Sequence, residues 1–316
     1  MSQEDKVGQL MMISLHGSTI GQSQKDVIRK YRVSGVMLTN ENLINKNQVK
    51  TFTSDIMQTA ITSSMVTPYI GVHRDRILHG NESFLRLPKP NRWGQLPMDR
   101  IINLATRSAI EMRDMGFNLV IGPNANLGVP NMSYTSDPTW AGHINLAMVE
   151  RYQINHMWFA YNYFPAVTLG DASFGSANEA KAYLSNNDVA VFKRLIAQTT
   201  AISHIQIPAI DNENLAGSSK AIIDGWLRKE LGYKGIVMTD RIDVGALQSN
   251  QKIGDYAVAS ILAGSDLILV DADTIHIDEV HRALTQAVAD GTITTERLNE
   301  SVKRILLMKM QTQIEP

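Results

Sequence analysis

Short apolar runs alternate along the chain with longer segments whose apolar residues recur at helical spacing. Residues 7–15 alternate loosely and end on His16-Gly17, which predicts a first strand and a turn. Residues 22–31 read as a helix, and Gly35-Val-Met-Leu-Thr39 as a second strand. Apolar positions at helical spacing over 47–63 lead to a short third strand, Pro68-Tyr-Ile-Gly-Val72. From 73 to 97 the chain is polar, proline-rich and too irregular for one element. A helix over 99–115 ends at Gly116, and a fourth strand over 117–121 breaks at Gly122-Pro123.

Asp137-Pro138 opens a helix running to about 156, and a fifth strand covers 157–160. Residues 164–187 read as a long loop, of a length that inside compact domains is usually functional or disordered. A helix over 188–198, a sixth strand over 200–204 and a helix over 217–231 lead to a seventh strand at Ile236. A helix over 253–263, an eighth strand over 267–270 and closing helices over 275–290 and 295–310 complete the chain. Strand then helix, repeated about eight times, predicts an α/β fold of the (β/α)₈ barrel type, one domain over residues 1–316. A doubly wound sheet, the main competitor, normally has fewer units.

Composition narrows the function classes. The 316 residues are 44% hydrophobic, enough for a large core, and 30 basic residues against 31 acidic ones leave a net charge of −1 without long charge runs. That balance argues against a nucleic-acid partner. With no cysteine, disulfides, thiolate catalysis and thiolate metal sites are excluded, which fits either a reducing or an oxidising compartment. No apolar run approaches the roughly 18 residues that a membrane span needs. Met1-Ser-Gln-Glu-Asp-Lys6 carries no basic and apolar leader, so the expected location is cytoplasmic, or periplasmic if a leader has been removed. No metal site is expected, since no His-Glu-x-x-His occurs, and no cofactor, since no phosphate-cradling glycine loop is present.

The stretch Gly232-Tyr-Lys-Gly-Ile-Val-Met-Thr-Asp240-Arg-Ile-Asp243 stands out, an apolar strand that delivers carboxylates and a guanidinium to its C-terminal end. In a barrel of this type, that end is where chemistry is done. Read from its residue type alone, Asp240 caps the following turn or pairs with Arg241. His204, after strand six, is either a buried histidine satisfied by the backbone or a ligand contact. Trp93 and Trp140 stack on a sugar or pack the core and rim.

The same stretch, with Arg228-Lys-Glu-Leu-Gly-Tyr before it and Ala263-Gly-Ser-Asp-Leu-Ile-Leu-Val after it, resembles family 3 glycoside hydrolases. It is most similar to the single-barrel bacterial β-N-acetylglucosaminidases, and Lys6-Val-Gly-Gln-Leu, Ser34-Gly-Val-Met-Leu and Ala109-Ile-Glu-Met-Arg extend the likeness over nearly the whole chain. In that family a strand ends in Ser-Asp-Asp, and the first Asp attacks the sugar. The resemblance makes Asp240 the nucleophile, with Arg241 in place of the second Asp.

Other family motifs are overwritten. Where the resemblance implies Lys-His-Phe-Pro-Gly-His-Gly and then a catalytic His on a loop, the chain reads Asn162-Tyr-Phe-Pro-Ala-Val-Thr168, and its loop offers Asp171 but no histidine. Asp171 reads as a solvated Gly-Asp turn or, less economically, as a replacement acid. The sugar-binding Asp-Gln-Glu-Gly-Gly becomes His73-Arg74-Asp75-Arg76, and Pro-Val-Leu-Asp becomes Pro123-Asn-Ala-Asn126. A sugar-binding Arg becomes Met132 before Ser133-Tyr134. Each loss removes a charged hydrogen bond worth roughly 1.5 to 3 kcal/mol.

The resemblance therefore implies a β-N-acetylglucosaminidase-like barrel that has lost hydrolysis, a pseudoglycosidase binding an amino sugar, a peptidoglycan fragment or a protein partner. His204, His73, Arg74, Arg241, Asn126 and Asn162 are the expected ligand-binding residues. Arg74, Arg76 and Arg241 either ring the mouth and favour an anion or stay solvated, and Asp240 is expected to form an ion pair with Arg241. One alternative is an active retaining glycosidase with Asp240 as nucleophile and an acid drawn from Asp171, Asp75 or Asp243. Another is a structural or regulatory subunit that binds no sugar.

Overall fold

The structure is a computed structural model that describes residues 1–73, 83–193, 199–271 and 274–311. Eight parallel strands close into a barrel in chain order, with β1 paired to both β2 and β8. The strands are β1 Met11–Ser14, β2 Gly35–Leu38, β3 Tyr69–His73, β4 Leu119–Asn124, β5 Trp158–Phe164, β6 Thr199–Ile202, β7 Ile236–Arg241 and β8 Leu267–Val270. The expected (β/α)₈ fold is the observed one. Around it run α1 Gln3–Gln9, α2 Gln22–Tyr31, α3 Lys46–Ser64, α4 Pro90–Trp93, α5 Met98–Asp114, α6 Pro138–Ile154, α7 Ala177–Asn186 and α8 Asp188–Lys193. A π-helix, Ala221–Glu230, precedes β7, and α9 Ile242–Ser249, α10 Ile253–Ala263, α11 Thr274–Ala289 and α12 Thr295–Gln311 complete the ring. No helix among the described residues is long and apolar enough to cross a membrane.

Strand residues are buried on both faces, as a sheet sheathed by helices requires. The barrel interior is tightly filled. A Cβ added to Gly71 of β3 would lie 2.8 Å from Met12 Cε and 3.0 Å from Met37 Cε, so glycine is what lets those side chains meet at the axis.

Three expected elements differ. Residues 7–15 are the end of α1 and then β1, not one strand, because Ser2 and Asp5 form a reciprocal cap that starts a helix and Val7 and Leu10 are buried three positions apart. The loop expected over 164–187 contains α7. There Ser176 accepts from Glu179 N at 3.3 Å while Glu179 Oε2 accepts from Gly175 N at 2.8 Å, and Ala180 and Leu184 are buried at i, i+4. Directly after β7 the chain turns into α9, which the sequence reading left unassigned.

α12 closes the N-terminal end of the barrel. Its carbonyls accept from Trp158 Nε1 (to Met308, 3.0 Å) and from Tyr69 OH (to Ile305, 3.3 Å), the first residues of β5 and β3. Lys309 is 2% exposed, and its Nζ donates to Ser34 O at 2.7 Å and Gln9 Oε1 at 3.1 Å and sits 4.8 Å from the centre of the Tyr69 ring. Burial pushes this amine well below the ordinary lysine range. A neutral amine still carries two protons for its two acceptors. With that end covered, the strands' C-terminal end remains for chemistry.

An unfolded chain keeps the lysine proton up to about pH 10.4, whereas the folded chain sheds it far lower, so unfolding takes up a proton and stability rises with pH through that window. Chemical denaturation between about pH 7 and about pH 9 should show a contribution of up to about 1.4 kcal/mol per pH unit that Lys309→Met abolishes. An unchanged slope in the variant would show that the buried amine stays charged.

Candidate functional site

At the C-terminal rim, β7 is held against β8 by Leu269 N donating to Thr239 Oγ1 at 3.1 Å. Val237 belongs to the outer cluster with Ile222, Ile223 and Trp226. Alternation along the strand therefore turns Met238 towards the barrel axis, and beyond it the pairing with β8 shifts register between Met238 and Arg241. Asp240 is half-buried and Arg241 exposed.

The expected ion pair between these two neighbours does not form, because the guanidinium is taken up by two other carboxylates. Instead the Arg241 guanidinium spans Asp243 Oδ2 at 2.7 Å and Asp271 Oδ2 at 2.5 Å. Its hydrogen bond to Asp243, assisted by the charges of Asp243, Asp271 and Asp240, raises it further above its ordinary value, against partial burial. Asp243 and Asp271 are thus occupied, while no ion pair engages Asp240 among the described residues.

His204, just past β6, is 8% exposed and fully engaged. Its Nε2 lies 2.9 Å from the Arg241 carbonyl and its Nδ1 2.8 Å from the Tyr256 hydroxyl of α10. A carbonyl only accepts, so Nε2 carries the proton and Nδ1 accepts from the tyrosine. Burial lowers the imidazole pKa, and the nearby Asp240 charge and the Arg241 backbone oppose that only in part. Burial likewise raises the Tyr256 hydroxyl. Two glycines make room for this pair. A Cβ on Gly217 would fall 2.6 Å from His204 Nδ1, and one on Gly245 would fall 2.5 Å from the Tyr256 ring and 2.7 Å from His204 Nδ1. Of the two readings open for His204, the buried histidine bonded to backbone is the observed one, and it fastens the end of β7.

The β4–β5 side is a separate cluster. Asn126 accepts from Tyr163 N and donates to Tyr163 O and Asp188 Oδ1, all at 3.2 Å, and its own N–H donates to Asn124 Oδ1 at 2.8 Å. Asp188 Oδ1 also accepts from Leu127 N at 2.9 Å. Burial raises the Asp188 pKa, with those hydrogen bonds acting against it. Asn126 thus stitches the β4 loop to β5. Asn162, His73, Asn124, Asn131 and Met132 line a cavity of about 60 Å³, and the Asn162 side-chain oxygen is buried with no hydrogen-bond partner. Small-molecule sites span about 300–1,000 Å³, so this space suits a few waters and not a sugar ring.

Asp171 is exposed at the tip of a turn closed by Ala172 N donating to Leu169 O at 3.1 Å, with no hydrogen bond or ion pair to the β7 residues. Trp93 is fully buried, and Trp140 is tied by Nε1 to Gly94 O at 2.8 Å. Arg74, Asp75, Arg76 and His79 lie outside the described residues. Among the described residues no three His, Asp or Glu side chains converge as metal ligands would. The structure therefore joins Asp240, Arg241 and His204, groups Asn126, Asn162 and His73 separately, and leaves Asp171 apart. Sequence reading missed Tyr256, Asp271 and Asp188. Asp271 carried a signal, since it follows an apolar strand as Asp240 does. Tyr256, inside an apolar helix, carried none.

The profile of the glycosyl hydrolase family 3 N terminal domain matches residues 2–308. Among characterised relatives, the beta-hexosaminidase A of Pseudoalteromonas piscicida is 24% identical over 92% of this chain and 56% of its own length, so the chain spans little more than half of that protein. A beta-hexosaminidase of Stenotrophomonas maltophilia K279a is 26% identical over 92% of this chain and 90% of its own. Among solved structures, the family 3 β-N-acetylglucosaminidase of Paenibacillus sp. str. FPU-7 superposes with a TM-score of 0.90 at 24% identity, covering 99% of this chain and 63% of that one.

A histidine whose pKa is depressed by folding is protonated first in the unfolded chain, so stability is lost as pH falls below about 6.5. Thermal melts between about pH 7.5 and 5 should slope less steeply in His204→Gln than in the parent, with buried His281, also depressed, keeping the remainder. Equal slopes would mean that His204 is not held neutral. Gly245→Ala should cost about 1–3 kcal/mol in urea unfolding by forcing the His204–Tyr256 pair apart, and a silent substitution would contradict the close approach.

Proposed function

Because the chain belongs to glycosyl hydrolase family 3, we propose that its barrel is a β-N-acetylglucosaminidase-like scaffold that has lost hydrolysis and works by binding. The ligand class is an amino-sugar glycan or peptidoglycan fragment, received at the strands' C-terminal end. The observation that carries this reading is the Arg241 bridge to Asp243 and Asp271, which leaves Asp240 a half-buried carboxylate outside any ion pair, with no proton donor set against it among the described residues.

Retaining hydrolysis needs a nucleophile and an acid about 5 to 5.5 Å apart when both are carboxyls. Asp243 is committed to the guanidinium, His204 uses both ring nitrogens, and Asp171 sits on an exposed turn. The Asp240 carboxylate offers hydrogen-bond acceptors for sugar hydroxyls. Asp240 also occupies the nucleophile's place in the family motif, which favours a second reading in which substrates with good leaving groups react without an acid.

With an aryl β-N-acetylglucosaminide of poor leaving group, turnover should be absent or lower by about 10²–10⁴-fold than with an acid in place, and Asp240→Asn should change nothing measurable. Robust turnover abolished by Asp240→Asn, or a fluorosugar adduct on Asp240 in the mass spectrum, would overturn the loss of catalysis.

A further inference from the structure

At the opposite end of the barrel, Asp266 just before β8 is completely buried and meets three guanidiniums. Arg228 Nη2 lies 2.5 Å from its carboxylate, Arg304 Nη1 2.9 Å and Arg297 Nη1 3.7 Å. Above them a hollow of about 340 Å³ opens between the π-helix, the end of α10 and α12. Its walls add Lys220, Lys229 and Lys234 but only Asp224 and Glu300. Six cations against three carboxylates leave a surplus of three positive charges, in a chain whose net charge is −1.

A purely structural role accounts for part of the cluster. Arg228 donates to the carbonyls of Tyr233, Gly235 and Gly264, and Arg297 to those of Ile261 and Ser265 and to Ser301 Oγ. These two guanidiniums staple the loops before β7 and β8 to the helix ends, and Lys229 closes on Asp224 at 2.8 Å. The staple does not use the outer charges. Lys220 and Lys234 are exposed and form no ion pair among the described residues, and Arg304 Nη2 has only Glu300 at 3.7 Å, beyond hydrogen-bond length. Burial, with the like charges of Arg304 and Arg228, depresses Arg297 against the pull of Asp266.

We propose that this hollow binds a small polyvalent phosphate of the pyrophosphate kind, with Arg304 Nη2 and the Lys220 and Lys234 ammoniums as its contacts. A guanidinium N–H donates to a phosphate oxygen and lysines supply point charges around it. The volume lies at the small end of the range for small-molecule sites. The site is independent of the mouth, since Asp266 and Gly235 precede the first residues of β8 and β7 while Asp240 lies near the last of β7.

Isothermal titration of the full chain with pyrophosphate, at ionic strength held constant with sodium chloride, tests this. Saturable one-to-one binding is expected, weaker by about tenfold or more for inorganic phosphate and for the Lys220→Gln/Lys234→Gln variant. Both lysines are exposed, so the variant should melt as the parent does, and Asp240→Asn should bind pyrophosphate unchanged. Absence of saturable heat, or equal affinity in the double variant, would overturn the site. Equal affinity for the two probes would overturn its polyvalent character, and loss of binding in Asp240→Asn would overturn its location.

Discussion

The ion pairs of one guanidinium organise the rim. Arg241 reaches across to Asp243 and Asp271 and binds β7, the start of α9 and the end of β8 into one unit. The Arg241 carbonyl is held in turn by His204, and His204 by Tyr256. Asp240, one residue earlier, stays half-buried and outside every ion pair among the described residues.

The β4–β5 side uses side-chain amides as structural links. Where the resemblance implies an aspartate and a lysine, this barrel has Asn126 and Asn162. An amide both donates and accepts, so Asn126 satisfies the Tyr163 backbone on both sides and a buried carboxyl at once. Asn162, shorter than a lysine, faces a cavity too small for a sugar ring. Asn126 meets the protein itself, which ties the β4 loop to β5.

The two ends of the barrel divide the polar work between them. At the closed end a neutral lysine and a guanidinium cluster lie under α12, and their hydrogen bonds run to strand starts and helix ends. At the open end Arg241 is exposed and Asp240 half-buried, while His204, Asn126 and Asn162 are buried at strand ends and on loops. Such an arrangement lets the scaffold persist through changes at its mouth.

Much of the fold was legible in the sequence alone. Eight apolar runs separated by helical periodicity specify a barrel because parallel strands sheathed by helices must be apolar on both faces. Helices such as α2 and α10 matched to the residue, their apolar periodicity ending at residues that cannot continue it. The caps at Ser2 and Ser176 were equally local signals, readable though passed over. Asp240 at the end of β7 was legible too, as a carboxylate on an apolar strand. The partners of the rim groups were not. Arg241 lies next to Asp240 in the chain yet bonds to Asp271, and His204 bonds to Tyr256 from another helix. Hydrogen bonds and ion pairs are set by distance in space, and closure of the barrel brings together strand ends that are tens of residues apart. Composition and spacing determined which chemistry was present, and only the closed barrel decided which groups met.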